Sequence, residues 1–207
     1  MKIQIKGLSL LILVIAFLSL GVFAQSESSI PTNFTTYTDE ANFFSISYPE
    51  NWEPAFSMIE SLKQEAENLL KSIDEKGSFK KNNVVFFGGV LLDSGYYNPN
   101  ICIIAEPLGD DNVKLEDSVE LSVRECKRYS EEYREFSRTK TIIDGRQAII
   151  LDFEARPLNL PLIHYLNMSM CIDKFLWTTT CAIVSPLNFY DFKDDLYAIV
   201  KSFQVLK

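Results

Sequence analysis

Two long apolar segments separated by only two polar residues constrain the fold most strongly. The segments are residues 162–172 and 175–184, and Asp173-Lys174 lies between them. This pattern predicts a β-hairpin. A two-residue turn fixes the register, so that Ile172 faces Phe175 and alternate residues share a face. The more apolar face, which we expect to face the core, carries His164, Leu166, Met168, Met170, Ile172, Phe175, Trp177, Thr179, Cys181 and Ile183.

The rest of the sequence predicts further strands with helices between them. Asp144-Gly145 is a second hairpin signal. Alternating or continuous apolar residues predict strands at 43–48, 84–92, 101–105, 139–143, 147–153 and 203–206, and three- and four-residue apolar spacing predicts helices at 56–76, 115–133 and 190–202. Residues 93–99 and 109–112 are expected to form turns. The fold class is therefore α+β, with helices packed on a mostly antiparallel sheet of six or more strands.

Two stretches of this chain are similar to the PsbP-like superfamily. Residues 37–52 (YTDEANFFSISYPENW) resemble the opening strand of that family, which runs into Tyr-Pro-x-x-Trp, and residues 189–205 (FYDFKDDLYAIVKSFQV) resemble its closing helix and strand. The resemblance implies an α-β-α sandwich. Because the family has many exported bacterial members, it also implies a non-catalytic role in contacting a protein or a ligand. No photosystem function and no Ran-binding residue is transferred to this sequence.

The N-terminus has the three parts of a secretory signal peptide. Lys2 and Lys6 precede an apolar run at 8–20, and Val22 and Ala24 occupy the small-residue positions of a cleavage site. The run is shorter than the roughly 20 residues that cross a bilayer comfortably. An uncleaved signal anchor is the alternative.

Cleavage after Ala24 predicts three segments: a signal peptide at 1–24, a flexible tether at 25–36 and a single domain at 37–207. Since the signal contains two lysines and no acid, the net charge changes from −8 to −10 on removal. We therefore expect a secreted or otherwise extracytoplasmic protein with no membrane span after cleavage. An acidic surface repels phosphate backbones, so the charge argues against nucleic-acid binding.

The chemistry-bearing residues are few. His164 is the only histidine, so a metal site built on several imidazoles is excluded within one chain. A catalytic serine elbow is also lacking, because the sequence contains no G-x-S-x-G. We predict a structural histidine, no catalytic residue, no metal site and no cofactor. Cys102 and Cys126 form a candidate disulfide, and four buried free thiols are the equal alternative.

Acidic residues and one proline-bounded loop are the remaining candidates. Carboxylates that converge in one cleft are able to hydrolyse glycosides, and the acids considered are Asp93, Glu106, Asp110, Asp111, Asp173, Asp194 and Asp195. The candidate interface consists of Arg156, Leu158 and Leu160. The two leucines lie in the loop between Pro157 and Pro161, and Arg156 directly precedes that loop. Leucines that cap the core are the alternative for this loop.

The leading functional hypothesis is an exported, non-catalytic binding or accessory protein. Its partner is an unknown protein or small ligand in the envelope or the extracellular space. Two alternatives stay open: a carboxylate-based extracellular hydrolase, and a signal-anchored subunit of an envelope complex. The hydrolase requires two acids that share one pocket. The anchored subunit requires a signal that is not cleaved.

Overall fold

A computed structural model describes residues 33–61, 64, 83–92, 97–108, 113–158 and 160–206. The predicted signal peptide, most of the tether, most of the predicted helix at 56–76 and the turn at 109–112 lie outside these residues. Residues 56–61 are helical, as predicted for the start of that helix.

The described chain contains ten strands and two complete helices. The strands are β1 (Phe34–Asp39), β2 (Phe44–Pro49), β3 (Glu53–Pro54), β4 (Asn83–Leu91), β5 (Tyr97–Pro107), β6 (Ser130–Ile143), β7 (Arg146–Pro157), β8 (Ile163–Ile172), β9 (Phe175–Val184) and β10 (Gln204–Val205). The helices are α1 (Leu115–Arg128) and α2 (Phe189–Lys201). The predicted α+β class with a mostly antiparallel sheet of six or more strands is confirmed.

Seven strands form the central sheet in the order β3-β4-β5-β9-β8-β7-β6, and every pair is antiparallel. A smaller sheet has the order β1-β2-β10. α1 packs on one face of the central sheet, and α2 together with β2 packs on the other. We refer to these as the α1 face and the α2 face.

Both predicted hairpins form with the predicted turns. Asp144 and Gly145 have φ values of 50° and 73°, as a two-residue turn with two left-handed residues requires. Ile172 pairs with Phe175, so the more apolar side of β8 and β9 faces the core as predicted, and this part of the core lies on the α2 face. The main members of that core cluster from these strands are Leu166, Met168, Met170, Ile172, Trp177, Cys181 and Ile183.

Two predicted boundaries were wrong. The helix predicted to reach Tyr133 ends at Arg128, and residues from Ser130 onward form β6. The helical spacing of buried residues happens to continue through Ser130 and Tyr133, but pairing with β7 satisfies the backbone of this stretch instead. Likewise, residues 97–99 belong to β5 rather than to the predicted turn.

The adjacent glycines of β4 allow a close approach of two neighbouring backbones. A Cβ added at Gly88 would lie 2.7 Å from the carbonyl oxygen of Glu53, and one at Gly89 would overlap the carbonyl oxygen of Pro99. The ladder with β5 is also irregular between Gly89 and Leu91. Close packing next to a bulge accounts for both glycines.

Candidate functional site

His164 lies between two carboxylates on the α2 face of the sheet. It is the second residue of β8 and pairs across the ladder with Glu154 of β7. Its Nε2 is 2.6 Å from Oδ1 of Asp152, and its Nδ1 is 3.4 Å from Oε1 of Glu154. Because residues 152 and 154 are two apart on one strand, both carboxylates point to the same side of the sheet.

Two phenyl rings cover the faces of the imidazole. The ring of Phe189, the first residue of α2, is 3.6 Å away between centroids, and the ring of Phe136 from β6 is 5.2 Å away. Both are inclined by only 6° to the imidazole. Phe136 reaches this position because the β6–β7 register shifts between Glu135 and Ser137, and a bulge re-aims the side chain beside it.

These contacts engage both nitrogens and both faces of the His164 ring within the protein. Only 8% of the residue is exposed, and its two nitrogens and two faces contact groups of the protein. Of the two nitrogen contacts, the 2.6 Å contact between Nε2 and Asp152 is a hydrogen bond, and both of its partners are buried. A general base must reach the proton that it abstracts, and this ring presents no nitrogen to a substrate.

The cluster joins four elements through one side chain. β6 contributes Phe136, β7 contributes the two carboxylates, β8 contributes the histidine and α2 contributes Phe189. We call this group the His164 cluster. Sequence reasoning placed the histidine on the apolar face but missed Asp152 and Glu154. The available signal was the pair of acids at alternate positions on a strand whose neighbours are apolar.

The ring contacts continue from the cluster along the outer face of α2. Tyr190, 67% exposed, packs edge-on against Phe189 at 5.8 Å. The Lys193 ammonium lies 5.8 Å from the ring centre of Tyr190 and 5.9 Å from that of Tyr197, and Lys201 lies 5.6 Å from Tyr197. We call Tyr190, Lys193, Tyr197 and Lys201 the α2 stripe.

α2 is held firmly beneath this stripe. Leu196, Ile199 and Val200 are fully buried on the opposite side of the helix. At the start of the helix, Oδ1 of Asn188 accepts a hydrogen bond from the backbone N–H of Tyr190 at 3.2 Å, which satisfies one of the free donors of the first turn. The side chains of the stripe, of which Tyr190 and Lys201 are exposed and Lys193 and Tyr197 are half-buried, therefore stand on a fixed backbone.

The three residues of the predicted interface separate. The Nε of Arg156 lies 2.9 Å from Oε1 of Glu132, and Leu158 is about half exposed. Leu160 is buried in the core on the α1 face. Two of the three residues thus lie at the surface, and the proline-bounded loop also caps the core.

The four cysteines are free thiols in the structure. Cys102 and Cys126 both lie in the core on the α1 face, and their pairing stays a prediction. Burial raises the pKa of the Cys126 thiol to about 11, and burial raises the pKa of Cys102 and of Cys181 further. Such thiols are poor nucleophiles near neutral pH, because the thiolate is the reactive form.

The acids named from the sequence do not gather at one place in the described residues. Asp173 lies in the turn at the far end of β8 from His164, Glu106 is buried on β5, and Asp194 and Asp195 lie on α2. The pKa of Asp195 is raised, chiefly by burial of its carboxyl and secondly by the negative charge of the neighbouring Asp194. Asp93, Asp110 and Asp111 lie outside the described residues. Within the described ranges, no three of His, Cys, Asp and Glu are grouped to hold a metal ion.

Comparison with solved structures identifies the fold. The chain is similar to cyanobacterial PsbP (CyanoP) from Synechocystis sp. PCC 6803, with a TM-score of 0.54 and 14% identity over 89% of this chain and 98% of that one. The chain has a PsbP-like fold. The resemblance inferred from the opening and closing motifs is therefore confirmed at the level of the fold.

Two bacterial proteins share the PsbP-like fold at similar distance. LpqN of Mycobacterium tuberculosis, described as involved in cell envelope biogenesis, has a TM-score of 0.54 and 11% identity over 84% of this chain and 91% of that one. PA94 of Pseudomonas aeruginosa, a putative regulator of unknown function, has a TM-score of 0.51 and 10% identity over 84% and 97%. No family model matches the sequence, and no curated protein matches it. In the described part of the chain, no helix has the length and apolar character of a membrane span.

Proposed function

We propose that this chain is an exported, non-catalytic accessory protein that binds another protein outside the cytoplasm through the α2 stripe. The predicted signal peptide supports export. LpqN, which has the same fold, is described as taking part in envelope biogenesis. The observation that carries the proposal is the large exposed fraction of Tyr190 on a helix whose other side is fully buried.

The composition of the stripe is that of a protein interface. Tyrosine is enriched at interfaces because it offers a large, rigid and amphipathic contact at a small cost in conformational entropy. Lys193 sits between two tyrosine rings, so its stem is already partly ordered before any partner arrives. The fixed backbone of α2 lowers the entropic cost of binding further. The surface residues Arg156 and Leu158 are a second candidate contact.

A photo-crosslinking amino acid at position 190 tests this proposal in the exporting host. We expect one adduct of defined mass that disappears when Tyr197 is replaced by Ala or Lys193 by Glu. The matched control carries the same crosslinker at Leu91, an exposed residue at the end of β4, where no adduct is expected. An adduct that forms equally at both positions, or none at position 190, contradicts the proposal.

Export and anchoring are decided by the N-terminus of the mature protein. We expect N-terminal sequencing of the exported material to begin at Gln25. Retention of Met1 on membrane-bound material would instead support the signal-anchored subunit. The hydrolase alternative receives no comparable support, since Asp152 and Glu154, the two acids that converge on the α2 face, are both occupied by His164.

A further inference from the structure

The two edges of the central sheet differ greatly. At one edge β3 has only two residues and ends in Pro54, which lacks a backbone donor. At the other edge β6 extends over 14 residues without a proline and pairs with β7 alone among the described strands. A short edge with a proline resists pairing with another chain, whereas a long edge presents a row of free donors and acceptors.

Charges along β6 are arranged in an order that suits antiparallel pairing with itself. Glutamates at 131, 132 and 135 occupy the first half, and Arg138 and Lys140 occupy the second, with Arg134 the exception. Two antiparallel copies bring the acidic half of each against the basic half of the other. A parallel arrangement places like charges together. Opposite charges directly across a strand pair stabilise the pairing, and like charges destabilise it.

Two exposed apolar side chains lie on the same strand. Phe136, near the middle of β6, is 37% exposed, and Ile142, near its end, is 63% exposed. If the twofold axis passes close to Phe136, the two copies bring these rings together, and Glu131 of one copy faces Lys140 and Ile142 of the other. The ring stack of the His164 cluster then continues across the axis through Phe136.

Bulges and charges usually protect an edge strand from association. Here β6 has two irregularities, between Ser130 and Glu132 and between Glu135 and Ser137. One arrangement stays favourable because the order of the charges is complementary only in the antiparallel sense. Several of these side chains keep partners within the chain, as in the contacts of Lys140 with Glu116 and of Arg156 with Glu132. These pairs are exposed, so they contribute little that would be lost on rearrangement.

We propose that β6 is a self-association edge, at which two copies of this chain pair antiparallel about Phe136 and join their sheets into one. The interface is isologous, as in most homodimers. It involves the edge of the sheet and leaves the α2 stripe free. The proposal therefore stands or falls independently of the partner proposed for α2.

Sedimentation equilibrium of the exported protein, from micromolar to millimolar concentration, tests the edge. We expect a monomer–dimer equilibrium. The change Glu131→Lys is expected to raise the dissociation constant about tenfold or more, because the residue lies in two symmetric contacts that change from attraction to repulsion. The double variant E131K/K140E restores opposite charges and is expected to recover most of the affinity.

The control is Glu40→Lys, which changes the net charge equally in the exposed turn between β1 and β2. We expect it to leave the dimer unchanged. A monomer at all concentrations overturns the proposal, and so does an equal effect of E131K and E40K. Amide exchange of β6 should also slow as the dimer forms, and a dimer that slows exchange elsewhere but not in β6 is likewise contrary to the proposal.

Discussion

Replacing His164 with Phe is expected to destabilise the protein by about 3 kcal/mol. Phenylalanine keeps the ring stack between Phe136 and Phe189, so the aromatic contribution of about 0.5–1.5 kcal/mol per pair is largely retained. Asp152, however, is only 7% exposed and loses the nitrogen 2.6 Å from its carboxylate. Leaving a buried acceptor without its hydrogen-bond partner costs roughly 1–3 kcal/mol, and more where the group is charged. Glu154 is more exposed, so its contact adds little.

Urea unfolding followed by tryptophan fluorescence measures this change, since Trp52 and Trp177 are both buried on the α2 face. The double variant D152L/H164F is the matched control. It removes the unpaired carboxylate and should recover the stability to within about 1 kcal/mol of the native protein, because apolar groups of similar size often replace a buried pair at little cost. A loss below about 0.5 kcal/mol for H164F alone refutes the buried contact between His164 and Asp152 as described.

Three further outcomes follow from the packing and the charges. Gly89→Ala is expected to cost about 1–3 kcal/mol in chemical denaturation, since its Cβ overlaps the backbone of Pro99; unchanged stability would contradict the close approach. Asp195 has a raised pKa in the folded protein, so protonation of its carboxyl stabilises the folded state. This stabilisation is lost as the pH rises through the pKa that Asp195 has in the folded protein. Asp195→Asn should therefore gain stability over the native protein, on the order of 0.5 kcal/mol, at neutral but not at acidic pH; an equal effect at both would be inconsistent with that cause. Cys126, with a pKa of about 11, should react with a thiol reagent only after unfolding, and rapid labelling of the native protein would show that it is accessible.

The hairpins could be predicted because local chemistry determines them. Asp144-Gly145 and Asp173-Lys174 each fix a register, and the register alone places every side chain of β8 and β9 on its face. The inward residues of α2 follow from helical spacing in the same way. In each case the information lies within about twenty neighbouring residues.

The His164 cluster depends on information that is not local. The register of β7 against β8 sets the pairing of Glu154 with His164, and these strands are joined by a loop of several residues rather than by a two-residue turn. Phe136 enters the cluster only because β6 is bulged. The sequence did not indicate this bulge, since the first residues of β6 have the apolar spacing of a helix. Sequence periodicity alone cannot predict the register of β7 against β8 or the bulged strand β6, because the pairing of distant strands determines both.

Side-chain footprinting of the complex is the most direct test of the claim that this protein binds a partner through α2. Hydroxyl-radical oxidation of Tyr190 and Tyr197 in the native protein is compared with and without the partner that the crosslink identifies, with the exposed Phe56 as the internal reference. We expect both tyrosines to be protected at least several-fold while Phe56 is unchanged. Full oxidation of both tyrosines in the complex, or protection of Phe56 alone, would contradict the account.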